Sequence, residues 1–206
     1  NETIITNPKP YENSSLMVNR QTEKVVSDDL GLSRFRICGE VTHRLLEHIA
    51  KIGLSQVNSE TRRHLIEKVP QLLRERGLSK SHLEEMVGRV QTALTNTLES
   101  EKGCWILSDS HSHSENELTV AAVLDGNIVR GIVDRTFVTE DDTRWIIDYK
   151  SGYSADNDIE NFILQERGRY TEQLKVYWRI FSQLDTRPVR VALYLTLYDH
   201  FEELEF

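Results

Sequence analysis

The sequence predicts an α/β fold: a helical block, then a three-strand antiparallel meander, a long helix and a last strand. Three observations predict it. Apolar residues recur at helical spacing from about Gly39 to Ser100. The Asp125-Gly126 pair lies between two apolar runs, the strongest short-range hairpin signal. An amphipathic stretch over about 160–184 is followed by the strongly apolar run 189–198.

Residues 1–30 are polar and poorly periodic, and the chain opens without Met; residues 1–36 therefore read as a linker from an upstream region. In "EVTHRLLEHIAKI" the residues Val41, Leu45, Leu46, Ile49 and Ile52 share one helical face, with Gly53 as the stop. A second helix is expected over about 59–76, kinked or split at Pro70. A third opens at "SHLE", where Ser81 and Glu84 have capping-box spacing. "CWILS" (104–108) reads as a short strand, and "SDSHSHSENE", with His111 and His113, as a mobile polar loop. "ELTVAAVL" (117–124) and "NIVRGIVDRTFV" (127–138) form the hairpin. "TEDDTR" (139–144) is a turn, and "WIIDYK" (145–150) is the third strand. A loop over 151–158, the long helix and a strand over 189–198 complete the order.

At 206 residues the chain suits one domain, or one domain with a helical annex. Cys38 and Cys104 match no zinc or disulfide pattern, which points to a reduced intracellular compartment. No apolar run reaches membrane-spanning length, and no signal peptide opens the chain. The net charge of −8 argues on its face against a nucleic-acid binder. The position of charge matters more than its total. Residues 161–190 carry the bases Arg167, Arg169, Lys175, Arg179, Arg187 and Arg190 against only three acids. Arg62, Arg63, Arg74 and Arg76 read as a solvated helical face.

The chemistry begins at "WIIDYKSG". Strand alternation puts Asp148 and Lys150 on one face. Antiparallel pairing about a turn centred on residue 141 sets Asp134 opposite Asp148, and the turn at Asp125-Gly126 sets Glu117 opposite Asp134. Like charges directly opposed are destabilising, so these carboxylates call for a cation between them. Hard oxygen ligands of this kind suit Mg²⁺ or Mn²⁺. Lys150 is placed to steady a phosphate or orient a water.

"GIVDR", "WIIDYKSG" and "YTEQLKVY", preceded by "GEVTHRLLE", resemble the nuclease domain of RecB/AddA-type (UvrD-like) helicase-nucleases, within the PD-(D/E)XK superfamily. The resemblance covers about residues 39–198. It implies a restriction-endonuclease-like core in a nuclease domain over 37–206, with the helical block inserted at about 55–100. It implies a metal held by His43, Asp134, Asp148 and the Tyr149 carbonyl, with Lys150 as the catalytic lysine. Glu117 is the site glutamate, with Glu115 as the alternative. Gln173 and Tyr177 become supports near the scissile phosphate, with Arg167 and Arg169 on the DNA side. The implied activity is a Mg²⁺- or Mn²⁺-dependent deoxyribonuclease, exonuclease or endonuclease, acting mainly on single-stranded DNA. The implied setting is an ATP-dependent helicase-nuclease of double-strand-break processing and recombinational repair, in a bacterial or archaeal cytoplasm. Its partners are DNA, upstream helicase domains of the same chain and a partner subunit, with no membrane. Two cysteines cannot build the four-cysteine iron–sulfur site of some relatives, and no P-loop appears in these residues. A second reading is a nuclease-fold module that only binds DNA or supports a helicase complex. The intact Asp134, Asp148 and Lys150 oppose it.

Overall fold

The structure, a computed structural model, describes residues 16–17, 29–154 and 158–206. Most of the expected linker, and residues 155–157 of the loop, lie outside the described residues.

The helical block opens with α1 (Asp29–Ile52), which starts before the expected position near Gly39. Ile37, Val41, Leu45, Leu46 and Ile49 bury its apolar stripe. It stops where Gly53 takes a positive φ of 87°, a backbone conformation that suits glycine. Helix α2 (Ser59–Glu75) is capped by Asn58, whose side chain accepts from Thr61 N at 2.9 Å. It runs unbroken through Pro70, so the expected split does not occur. The buried residues Leu65, Val69 and Leu73 hold one face against its neighbours across the proline. Helix α3 (Leu83–Glu99) begins after a 3₁₀ turn at Lys80–His82. The capping box at Ser81 does not form; its hydroxyl lies 2.9 Å from that of Ser79.

The expected strand at 104–108 is instead the end of a helix, α4 (Glu101–Leu107). Ser100 caps it by accepting from Gly103 N at 2.9 Å. Its last turn is held by a buried cation: Arg135 Nε donates to Ile106 O at 2.6 Å, and Nη2 to Ser108 O at 3.1 Å. Carbonyls at a helix C-terminus lack intrahelical partners and favour a cation.

The sheet contains β1 (Leu16–Met17), β2 (Ser112–Leu124), β3 (Asn127–Val138), β4 (Arg144–Lys150), β5 (Val189–Leu195) and β6 (His200–Leu204). Helix α5 (Ile159–Leu184) joins β4 to the parallel β5. The strand order is β1-β3-β4-β5-β6, with β2 along the other side of β3. The two expected registers are present. Leu124 faces Asn127 across a turn where Asp125 and Gly126 both have positive φ, and Val138 faces Arg144 across the 139–143 turn. Strand β2 begins at Ser112, so the stretch read as a mobile loop is largely strand. His111 stacks on Phe137 at 4.1 Å with its Nε2 2.7 Å from Trp105 O, and burial lowers its pKa. The last strand stops at Leu195 rather than 198. A turn with Asp199 at φ 48° sends the chain back as β6, which the sequence reading missed.

The result is helix, sheet, helix. On one face Phe137, Trp145, Ile147, Tyr149 and Tyr194 pack against α1 to α4. On the other Val133, Ile146, Val191 and Leu193 pack against Leu174, Tyr177 and Ile180 of α5. Each such side chain contributes on the order of 1.5–3 kcal/mol when fully buried. Strands β3 and β4 are thus clamped between two cores.

Candidate active site

The site lies where β3 and β4 part. Their main-chain pairing ends at Arg135 opposite Ile147. Beyond it a side chain takes over: Asp134 Oδ2 accepts from Tyr149 N at 2.9 Å. Asp134 and Asp148 are 4% and 3% exposed, so two acids are buried on neighbouring strands.

Across β3, Glu117 has φ 50°, a left-handed conformation costly for a residue with a side chain. The facing of side chains reverses there on both strands. Val133 and Leu118 join the α5 core, whereas Arg135 and Asn116 hydrogen-bond each other at 2.9 Å on the α4 side. The reversal frees Glu117 and Asp134 from the alternation and turns them toward α1. His43, Glu117 and Asp134 each bring a ligand atom within 4.8 Å of the others, and His43 Nδ1 lies 3.4 Å from Asp134 Oδ2. Strained backbone of this kind gathers at functional sites. Glu115 is exposed and pairs with Thr136 instead. The ring of Tyr149 meets His43 edge-on at 5.8 Å and backs it against the core.

Asp148 and Lys150 share a face as expected, with Lys150 Nζ 2.5 Å from Asp148 Oδ2. The ammonium also lies 4.0 Å from the ring centroid of Tyr170 on α5. Burial, with Asp134 adding, pushes the Asp148 carboxyl up despite the opposing lysine. Burial alone would lower Lys150, but Asp148 and Asp134 outweigh it and raise the amine well above its ordinary value. Lys150 therefore stays a cation at neutral pH.

Gln173 Nε2 reaches Asp148 Oδ1 at 3.4 Å and the Tyr177 hydroxyl at 3.2 Å. That hydroxyl donates to Ile132 O at 2.9 Å. Tyr177 is only 1% exposed, and burial pushes its hydroxyl up to about 12. Gly131 makes room for it: a Cβ there would lie 2.5 Å from Tyr177 Cε1. Gln173 and Tyr177 thus form a strut from Asp148 to the backbone of β3.

The two expected DNA-side bases have carboxylate partners. Arg167 pairs with Glu202 at 2.8 Å, and Arg169 with the buried Glu166 at 3.0 Å. Tyr170 was missed as a site residue; its signal was its place three residues before Gln173, on one face of the helix.

Two carboxylates and an imidazole converge here, and a main-chain N–H orients one of the carboxylates. That donor set fits a divalent cation of the Mg²⁺ or Mn²⁺ class. Cys38 and Cys104 are free thiols outside this cluster. Among the described residues no helix is long and apolar enough to cross a membrane.

The sequence profile of the PD-(D/E)XK nuclease superfamily matches residues 18–203. No curated protein matches the sequence. Among solved structures, the crystal structure of protein VC1899 from Vibrio cholerae is similar at 10% identity and a TM-score of 0.30, over 80% of this chain and 47% of that one. The chain spans about half the length of that protein.

Proposed function

The chain belongs to the PD-(D/E)XK nuclease superfamily, and from that premise we propose that it is a Mg²⁺- or Mn²⁺-dependent deoxyribonuclease that cleaves phosphodiester bonds of single-stranded DNA. The observation that carries the reading is the His43–Glu117–Asp134 cluster with the Asp148–Lys150 pair beside it.

His43, Glu117 and Asp134, with Asp148 next to them, would hold the cation. Bound there, it would polarise a phosphoryl oxygen and acidify a water. The rest is the work of the chain. Lys150 presents a fixed positive charge to a phosphate oxygen or to the attacking water. Asp148 and the face of Tyr170 keep that charge in place. Gln173 and Tyr177 fix Asp148 against β3, so the carboxylates keep their spacing. A protonated Lys150 acts as an electrostatic partner rather than a base.

The motif order supports a finer proposal: a RecB/AddA-type nuclease domain. Its setting is then a helicase-nuclease of double-strand-break repair, with upstream helicase domains in the same chain, a partner subunit and a bacterial or archaeal cytoplasm. The test is cleavage of labelled single-stranded DNA with Mg²⁺, with EDTA, and by Asp148→Ala. Cleavage with Mg²⁺ alone, lost in EDTA and in the variant, is expected. Full activity in either condition contradicts the reading, and a folded chain that never cuts leaves the DNA-binding module.

A further inference from the structure

Two elements run from the site to a common end. On α1, Phe35, Gly39 and His43 recur every four residues and so share one face. Phe35 is about 12 Å from His43 along the helix. On the other side the chain leaves β4 at Lys150 and reaches Tyr153 within about 10 Å. The Phe35 and Tyr153 rings meet with centroids 5.0 Å apart. Between Phe35 and His43 the helix face is open, because a Cβ at Gly39 would meet nothing within 4 Å.

Two guanidiniums lie on this aromatic pair. Arg89 of α3 lies 3.6 Å from the Tyr153 centroid and 5.3 Å from that of Phe35, and Arg34 lies 4.8 Å from Phe35. Glu85 fixes Arg89 at 3.1 and 3.3 Å, and His82 Nδ1 lies 3.1 Å from Arg34 Nη1. Both rings and Arg89 are half-buried, so part of each remains open to solvent. Arg89 covers one face of Tyr153, so the platform a base can reach is that guanidinium plane and the open parts of the two rings, a short way from a hydrolytic site: stacking for a base and charge for its phosphate. Neither a duplex, whose bases are already stacked, nor an acidic peptide uses both features.

Resting on the nuclease reading above, we infer that Phe35 and Tyr153, with Arg34 and Arg89, form a stacking subsite that holds a base of a single nucleic-acid strand a short way along the strand from the scissile phosphate. The subsite selects unpaired strands, since only there is a base free to leave its neighbours. The helical block contributes Arg89, so the insertion acts in substrate capture.

The experiment compares two fluorescent strands of equal length, oligothymidylate and its abasic counterpart, by anisotropy in EDTA at low salt. The same proteins are assayed with Mn²⁺ on an oligothymidylate and on bis(p-nitrophenyl) phosphate, a diester too small to reach the rings. The unaltered chain should bind the thymidylate strand roughly tenfold more tightly than the abasic one. Tyr153→Ala and Tyr153→Leu should lose most of that gap, and Tyr153→Phe should keep it. Arg89→Ala should weaken binding of both strands and flatten the salt dependence by less than one full phosphate contact, because Glu85 already pairs with the guanidinium. In Tyr153→Leu, kcat/KM should fall roughly tenfold more on the oligonucleotide than on the small diester. The inference is overturned if the unaltered chain shows no gap, or if Tyr153→Ala keeps it. An equal fall on both substrates also overturns it, because Tyr153 then only pins the loop after Lys150. A chain that shows the gap and hydrolyses neither substrate contradicts the nuclease reading and leaves the subsite standing.

Discussion

Lys150 sits between a carboxylate and an aromatic face, and its neighbours keep it protonated. It brings a cation to a cluster of acids, so it does not compete for the same task as they do. Lys150→Ala is expected to leave metal uptake intact or slightly stronger, since a nearby positive charge is gone. Cleavage should fall by about 10²–10³-fold, as for a lost preorganised donor, and Lys150→Arg should restore little, because a planar fork replaces a compact charge. Calorimetric Mn²⁺ titration and cleavage on one preparation check this; equal losses of both would make the lysine structural. Asp148 carries the opposite cost. Its folded-state pKa is raised by burial and by Asp134, so folding favours its neutral form. Relative to a neutral side chain, the penalty grows as pH rises from the ordinary carboxyl range through that raised value. Asp148→Asn should therefore melt at a higher temperature than the unaltered chain at neutral pH in EDTA, by a few degrees if about 1 kcal/mol is recovered. A lower melting temperature would show that the Lys150 pair stabilises the apo fold.

At the scale of elements, close approach sets the geometry of the site. Gly131 lets the Tyr177 ring lie on β3, and Gly103 lets α4 lie on the end of α3, where a Cβ would come within 2.1 Å of Thr97 O. Gly131→Ala should cost about 1–3 kcal/mol, the usual penalty of overpacking. Gly103→Ala should cost more, because a backbone carbonyl cannot swing aside as a ring can. Urea unfolding of both variants tests the order, and a milder Gly103→Ala would contradict it. The same elements show what was legible in the sequence. Turn chemistry at Asp125-Gly126 and at 139–144 fixes both registers, so the sequence alone sets Glu117, Asp134 and Asp148 side by side. The apolar run 104–108 is too short to separate helix from strand by periodicity, and the contacts that hold it as a helix lie outside the run, in the Ser100 cap and in Arg135, some thirty residues away. Strand β6 has only five residues and little apolar alternation. The left-handed turn of Glu117 carries no local signal, yet it aims the glutamate at the site.

At the scale of the whole molecule, the proposed DNA substrate has to be reconciled with an acidic chain. Five of the six bases in 161–190 are spent on ion pairs: Arg167, Arg169, Arg179, Arg187 and Arg190. That surface would contribute less to strand binding than its charge count implies, and on the proposed reading recognition falls to the site and the rings beside it. The central claim is that the acids where β3 and β4 part hold the metal on which cleavage depends. Asp134→Asn tests it most directly. The amide oxygen still accepts from Tyr149 N–H, so the strand junction keeps its link while the anionic ligand is lost. Mn²⁺ titration by calorimetry on the unaltered chain and on folded Asp134→Asn, each paired with cleavage of single-stranded DNA, gives the answer. The account predicts that the variant loses Mn²⁺ uptake and cleavage together. Unchanged Mn²⁺ affinity in Asp134→Asn, or cleavage that survives without metal, would contradict it.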